Sequence, residues 1–287
     1  MSIEAIAVLG SGTMGRGIAQ VAASAGLRTF MYDAAAGQLR VAVGEIEKSL
    51  GKLVEKNRLT AEQAATAKGL LITCESLDAV RWSEAGLVIE AIYENFDAKA
   101  ALYKQIAPRL RPDAILGSNT SSISITKLAT VSDRPAKFIG MHFFNPVPLM
   151  TLVEVVRGMA TDDATCETIE ATARRMGKTP LRCNDMPGFV SNRVLMPMIN
   201  EGAYALMEGV ADARTIDEIM KLGCNFPMGP LTLADFIGID VCVDIMNVML
   251  SGIGDPKFRP CPLLKKMVDA GRLGRKSGRG FYEYGAK

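Results

Sequence analysis

Only one histidine occurs in the 287 residues, and no two of the six cysteines form a C-x-x-C pair. With Cys74, Cys166, Cys183, Cys224, Cys242 and Cys261 scattered along the chain, the dense ligand spacing of a zinc site is missing and no metal is expected. A disulfide framework belongs to shorter secreted chains, so the thiols are expected to be reduced and the compartment cytoplasmic. The start of the chain has no basic stretch followed by a long apolar run, and it enters an apolar strand at Ile3. No signal peptide is expected. No run approaches the roughly 20 apolar residues of a membrane span, which argues against a membrane partner. Charge of one sign is scarce as well: 33 Lys and Arg against 31 Asp and Glu leave a net +2. That is too little for a general nucleic-acid binder, although a local basic patch could still serve an anionic cofactor. What is present is the balance of a folded globular protein, 48% apolar and 22% charged. The length suffices for one large core or two ordinary domains.

Short apolar runs alternate with helical patterns through the first half. Ala5–Leu9, Arg28–Tyr32, Leu87–Ala91, Ala114–Gly117 and Phe138–Phe144 read as strands, and Thr151–Val156 alternates like one. Gly15–Gly26 reads as a helix, and Ala34–Thr66 as a helical pair inserted after the second strand. Strands separated by helices predict an α/β Rossmann-like domain, a parallel sheet covered on both faces. After Met186-Pro187-Gly188 the apolar residues recur at helical spacing for most of the way to Leu250, with breaks near Asn225–Pro230. The second, smaller domain is therefore expected to be all-α. The boundary is placed near Cys183–Asn184, giving domains 1–183 and 184–287.

The first strand runs into Gly10-Ser11-Gly12-Thr13-Met14-Gly15 and then a helix. Gly10 permits the tight turn, Gly12 lets the backbone approach a pyrophosphate, and Gly15 lets helix and strand pack closely. Alone, a G-x-G-x-x-G run is a weak signal. Here it follows a strand, opens a helix and is answered by Asp33 at the end of the second strand. A carboxylate there accepts hydrogen bonds from ribose hydroxyls and repels a 2′-phosphate. Ala34, Ala35 and Ala36 follow, so no adjacent arginine is offered to such a phosphate, and neither Arg28 nor Arg40 is obviously placed for one. NAD is the expected cofactor.

His142 is the only side chain whose ordinary pKa lies near neutrality, and it ends a predicted strand, where ligands meet doubly wound sheets. By itself a histidine in an apolar run is more often a satisfied core residue. Around it stand Ser118-Asn119-Thr120-Ser121-Ser122, Met141-His142-Phe143-Phe144-Asn145-Pro146-Val147, Glu154, and Asp185-Met186-Pro187-Gly188-Phe189-Val190-Ser191-Asn192-Arg193. Phe226-Pro227-Met228-Gly229-Pro230 and the terminal Gly274-Arg275-Lys276-Ser277-Gly278-Arg279-Gly280-Phe281-Tyr282 complete the set. In order and spacing, over essentially the whole chain, these runs resemble the 3-hydroxyacyl-CoA dehydrogenase family, on the side of its bacterial 3-hydroxybutyryl-CoA members.

The resemblance implies an NAD-dependent oxidoreductase acting between (S)-3-hydroxyacyl-CoA and 3-ketoacyl-CoA, in short-chain fatty-acid or butanoate metabolism. It implies that His142 is the base, Glu154 its carboxylate partner, and Ser121 and Asn192 the groups that hold substrate oxygens. It further implies that Glu94, Lys99, Asn119, Ser121, Asn145 and Lys276 reach the dinucleotide, with Gly10 to Gly15 and Asp33. For the CoA moiety it points to Ser49 and Lys56, and Lys48, Lys52 and Lys56 recur at helical spacing. By the residues alone, Glu154 can also be read as a strand residue, Ser121 and Asn192 as helix caps, Glu94 and Lys99 as a charged helix start, Lys276 as part of a basic tail, and the lysine stripe as a solvated face. The helical domain is expected to form a homodimer. Two alternatives stay open: a same-fold dehydrogenase of a non-CoA hydroxy acid such as L-gulonate or carnitine, and a non-catalytic crystallin-like protein.

Overall fold

Strands whose every side chain is apolar need cover on both faces, and that requirement shapes the first part of the chain. The computed structural model describes residues 3–285, apart from the side chain of Ala36, which lies outside the described residues. The chain divides into two compact units, Met1–Met186 and Pro187–Lys287.

The first unit begins with β1 (Ala5–Leu9), buried at all five positions, followed by α1 (Thr13–Ser24) and β2 (Arg28–Tyr32). The inserted helical pair is α2 (Ala36–Glu55) and α3 (Ala61–Leu70). Between them Asn57 takes a left-handed conformation with φ 53°, and Thr60 opens α3 with a capping box closed by Gln63. Then come β3 (Leu71–Cys74), β4 (Leu87–Glu90), α4 (Phe96–Ile106), β5 (Ile115–Ser118), α5 (Ile125–Thr130) and β6 (Phe138–Phe143). The unit ends with β7 (Leu152–Arg157), α6 (Asp163–Arg175) and β8 (Thr179–Asn184). The last strand thus runs through the Cys183–Asn184 point at which the sequence suggests a division.

All eight strands form one sheet, ordered β3-β2-β1-β4-β5-β6-β7-β8. The pairs from β3 across to β6 are parallel, so the carboxyl ends of β1, β4, β5 and β6 share one edge. The sheet is not parallel throughout. β7 runs antiparallel to β6, and β8 parallel to β7. Residues 144–151 contain no helix, and a parallel return needs a crossover of a dozen or more residues, so the chain turns straight back. One apolar cluster joins Ile6 and Val8 of the sheet to Ile18 of α1 and Ile46 and Leu50 of α2. Burying each such side chain contributes roughly 1.5–3 kcal/mol, which secures both helices against one side of the sheet.

The second unit is helical: α7 (Ser191–Met207), α8 (Ala213–Cys224), α9 (Pro230–Ile237), α10 (Ile239–Ile253) and α11 (Pro262–Asp269). Met196, Ile199, Leu231, Ala234, Met246 and Leu264 form its core. Two buried carboxylates tie it together. Asp217 accepts from Leu231 N (2.8 Å) and Thr232 N (2.8 Å), satisfying the first amides of α9, and from the Tyr282 hydroxyl (2.7 Å). Asp235 accepts from Phe281 N (2.9 Å), Tyr282 N (3.0 Å) and the Tyr284 hydroxyl (2.9 Å), fastening the C-terminal segment. Among the described residues no single helix is long and apolar enough to cross a membrane; α9 and α10 together have the length but bend by 96°.

Candidate active site

The turn after β1 has the space and the donors for a pyrophosphate. A Cβ on Gly15 would lie 1.8 Å from the Gly10 carbonyl oxygen, and one on Gly10 2.5 Å from the Ala91 oxygen. A Cβ on Gly12, by contrast, would meet nothing within 4 Å. Gly12 is also the N-cap of α1 and supplies no side-chain cap, so the first amides of that helix point at open space. Asp33 sits beside this turn, with Oδ2 accepting from Ser11 N (2.7 Å) and Ser11 Oγ (2.9 Å), and Oδ1 from Ala35 N (2.9 Å). A carboxylate has about four lone-pair sites, so Asp33 keeps capacity for a ribose hydroxyl while it holds the glycine turn. Residues Gly10 to Gly15 and Asp33 therefore fit an NAD molecule.

His142 and Glu154 face each other across the antiparallel β6–β7 pair, as direct partners in the register. Both are buried, and His142 Nδ1 lies 2.7 Å from Glu154 Oε2. An ionised carboxylate only accepts, so Nδ1 carries the proton and donates it to Glu154. The Phe144 ring packs at 4.7 Å between centroids and further restricts the imidazole. Cys183, on the neighbouring strand, is no rival nucleophile. Burial, and then the charges of Glu154 and Asp185, push its thiol up to about 12.

The loops beyond the neighbouring strands gather a second constellation, in which Glu90 and Tyr103 are unread in the sequence. Glu90, which ends β4, is fully buried, and its Oε1 accepts from Lys99 Nζ at 2.6 Å. Its Oε2 accepts from the Tyr103 hydroxyl (2.8 Å) and Ser118 Oγ (2.7 Å). Burial and the Glu90 charge raise the Tyr103 phenol well above its ordinary value, so it stays a donor. Lys99 also lies 3.4 Å from Glu94 Oε2. The other oxygen of Glu94 accepts from Thr120 Oγ1 (2.6 Å), Ser121 N (3.0 Å), Ser122 N (3.0 Å) and Ser122 Oγ (2.9 Å). Burial alone would raise the Glu94 pKa, but the Lys99 charge and these donors outweigh it and hold the carboxyl below its usual value. Ser121 is thereby held by its backbone, and Asn119 Oδ1 accepts from Phe143 N (3.0 Å), tying the same loop to β6. The sequence does carry a trace of this network: Glu90 is a carboxylate closing the apolar run Leu87-Val88-Ile89, nine residues before Lys99.

Of the remaining expected residues, Asn145 is exposed on the loop after β6, at the cis Asn145–Pro146 bond, and helps line a cavity of about 170 Å³ with Thr13 and Ser49. Lys56 is exposed at the C-cap of α2. Lys48 pairs with Glu45 at 2.9 Å on the open face of that helix. Asn192 and Lys276 belong to the second unit. Asn192 is buried in the first turn of α7, and Lys276 Nζ lies 2.6 Å from Asp240 Oδ2. Among the described residues no group of three or more His, Cys, Asp or Glu is gathered as a metal site, and all six cysteines are free thiols.

Two family models match the chain. Residues 5–186 match the NAD binding domain of 3-hydroxyacyl-CoA dehydrogenase, and residues 188–284 its C-terminal domain. A probable 3-hydroxybutyryl-CoA dehydrogenase of Deinococcus radiodurans is 57% identical over 277 residues, covering 96% of this chain and 99% of its own. The 3-hydroxybutyryl-CoA dehydrogenase of Bradyrhizobium diazoefficiens is 48% identical, over 99% of this chain and 97% of its own. Among solved structures, (S)-3-hydroxybutyryl-CoA dehydrogenase from Ralstonia eutropha superposes with a TM-score of 0.96 at 47% identity, over 99% of this chain and 100% of the other.

Proposed function

The chain belongs to the 3-hydroxyacyl-CoA dehydrogenase family, and from that premise we propose that it interconverts short-chain (S)-3-hydroxyacyl-CoA and 3-ketoacyl-CoA with NAD. The observation that carries this reading is the buried His142–Glu154 pair at the sheet edge that also bears the glycine turn. In the oxidative direction His142 Nε2 takes the proton of the C3 hydroxyl, and the C3–H bond gives up its electron pair as the carbonyl forms. Bound NAD supplies the hydride acceptor for that step. Glu154 fixes the tautomer that leaves Nε2 as the base and stabilises the imidazolium as it develops. Ser121 and Asn192 hold the substrate oxygens, with the Ser121 loop set in place by Glu94. Glu94, Lys99, Asn119, Asn145 and Lys276 complete the dinucleotide's surroundings, and Ser49 and Lys56 serve the CoA moiety. The protein works in the cytoplasm as a homodimer assembled through residues 184–287.

Turnover of acetoacetyl-CoA through 3-ketodecanoyl-CoA with NADH tests the reaction and the chain length together. Activity concentrated on the shortest thioesters is expected. NADH should exceed NADPH in kcat/KM by at least about tenfold, equivalent to roughly 1.4 kcal/mol, because the Asp33 carboxylate repels a 2′-phosphate. Comparable efficiency with NADPH would show that another cation answers the phosphate.

A further inference from the structure

Four donors, from the loop after β4, from α4 and from β5, converge on the Glu90 carboxylate. Oε1 accepts from Ile92 N (2.8 Å) and Lys99 Nζ (2.6 Å), and Oε2 from the Tyr103 and Ser118 hydroxyls. A carboxylate has about four lone-pair sites, so Glu90 is filled from inside the fold and keeps none for a ligand. The backbone of the same stretch is fixed too. Ala91 N donates to Leu9 O (2.7 Å) and Asn119 N to Glu90 O (2.8 Å), and a Cβ on Gly10 would press on the Ala91 oxygen and on Ile92 N (3.0 Å). Glu90 therefore stiffens the wall behind the glycine turn and, through Ser118, the start of the loop that carries Ser121.

Lys99 is 1% exposed, so its ammonium works inside the protein. It stands between two carboxylates, 2.6 Å from Glu90 and 3.4 Å from Glu94. Glu94 divides its oxygens: Oε2 meets Lys99, and Oε1 takes the Thr120, Ser121 and Ser122 donors. Glu90 thus sets Lys99, Lys99 sets Glu94, and Glu94 sets Ser121. Two ionised carboxylates and one ammonium also leave one surplus negative charge, in a setting where water screens it little. The topology tells where that charge acts. Asp33 follows β2 and the glycine turn follows β1, so a dinucleotide with one ribose on Asp33 has its other half over β4, β5 and β6, where His142 lies. That half carries the nicotinamide ring, which is cationic when oxidised and neutral when reduced.

We infer that Glu90 is a positioning residue for this strand-end site: it holds Lys99 against Glu94, which sets Ser121, and its charge supports the oxidised, cationic nicotinamide. The Ser121 arm of this inference rests on the acyl-CoA reading above; the nicotinamide arm does not. Glu90→Gln keeps the shape and removes the charge, and the Tyr103 and Ser118 hydroxyls can turn to accept from its amide. Calorimetric titration of the full chain is expected to give a Kd for NAD about five- to tenfold higher than wild type, and a Kd for NADH within about twofold. With saturating acetoacetyl-CoA and NADH, kcat should fall about tenfold. Glu90→Gln/Lys99→Met removes both charges of the buried pair and leaves the net charge as it was. It should return the ratio of the two Kd values to that of wild type while kcat stays low, because nothing then steers Glu94. A merely structural loss would instead raise both Kd values together. Equal rises or no rise in Glu90→Gln, a ratio that the double variant does not restore, or a kcat within about twofold of wild type would overturn the inference. If Glu90→Gln fails to fold by circular dichroism, the double variant decides by the same ratio and kcat. If the wild type reduces no acetoacetyl-CoA, the proposed reaction falls, and the two Kd values still judge Glu90.

Discussion

Glu154 meets His142 at 2.7 Å in a buried setting, so the two side chains act as a unit and their substitutions should not add. Glu154→Gln keeps the size of the side chain and removes the charge that stabilises an imidazolium. Its amide can also bond the ring in the wrong tautomer. The loss is expected in kcat, by about tenfold or more, since imidazolium develops only as the reaction proceeds. His142→Gln should cost more, about 10²–10⁴-fold, because no other histidine exists to take the proton. The double variant should be no worse than His142→Gln. Saturating-substrate kinetics on the three proteins decide it, and a kcat within about twofold of wild type for a folded Glu154→Gln protein would reduce Glu154 to a strand residue. At this scale His142 stands out in the sequence by its singularity, and the glycine turn by its spacing. Glu90, Tyr103 and Ser118 do not. Their meeting depends on three separate elements converging on one buried point, which no spacing encodes.

Elements anchored by buried carboxylates make a second kind of prediction. Asp235 is 1% exposed and accepts three donors from the C-terminal segment. Asp235→Asn places an amide NH₂ where only acceptors fit, and each donor left unpaired costs about 1–3 kcal/mol. The urea midpoint is expected to fall while the m-value changes little. Gly280→Ala should act in the same direction, since its Cβ would lie 2.0 Å from Asp235 Oδ1. An unchanged midpoint in both variants would mean that Asp235 does not hold the segment. Most strands of the first unit are legible because they are short apolar runs closed by turn residues. β3 and β8 are not. β3 is a four-residue edge strand, and β8 buries Pro180 but exposes the neighbouring Leu181 and Arg182, so neither shows a clear period. β7 is legible as a strand, but its direction is not, because alternation is the same read either way. The turn-back through residues 144–151 is what sets the antiparallel pairing.

At the scale of the whole molecule, the helical unit leaves apolar side chains uncovered. Val194, Val210, Ile219 and Leu222 are between 60% and 82% exposed. Exposed apolar side chains on a folded unit of about 100 residues are compatible with an association surface. A second copy of this chain is the proposed partner, and light scattering at micromolar concentration should return twice the mass of one chain. A monomer under those conditions would count against assembly through residues 184–287. The antiparallel register that sets Glu154 opposite His142 has a further consequence for the molecule under stress. Because a one-residue slip would turn Glu154 to the opposite face, the dyad is kept by the backbone ladder itself. On heating, the pair is expected to outlast side-chain contacts that no ladder fixes, which makes the β6–β7 seam a place where added stability also protects the site.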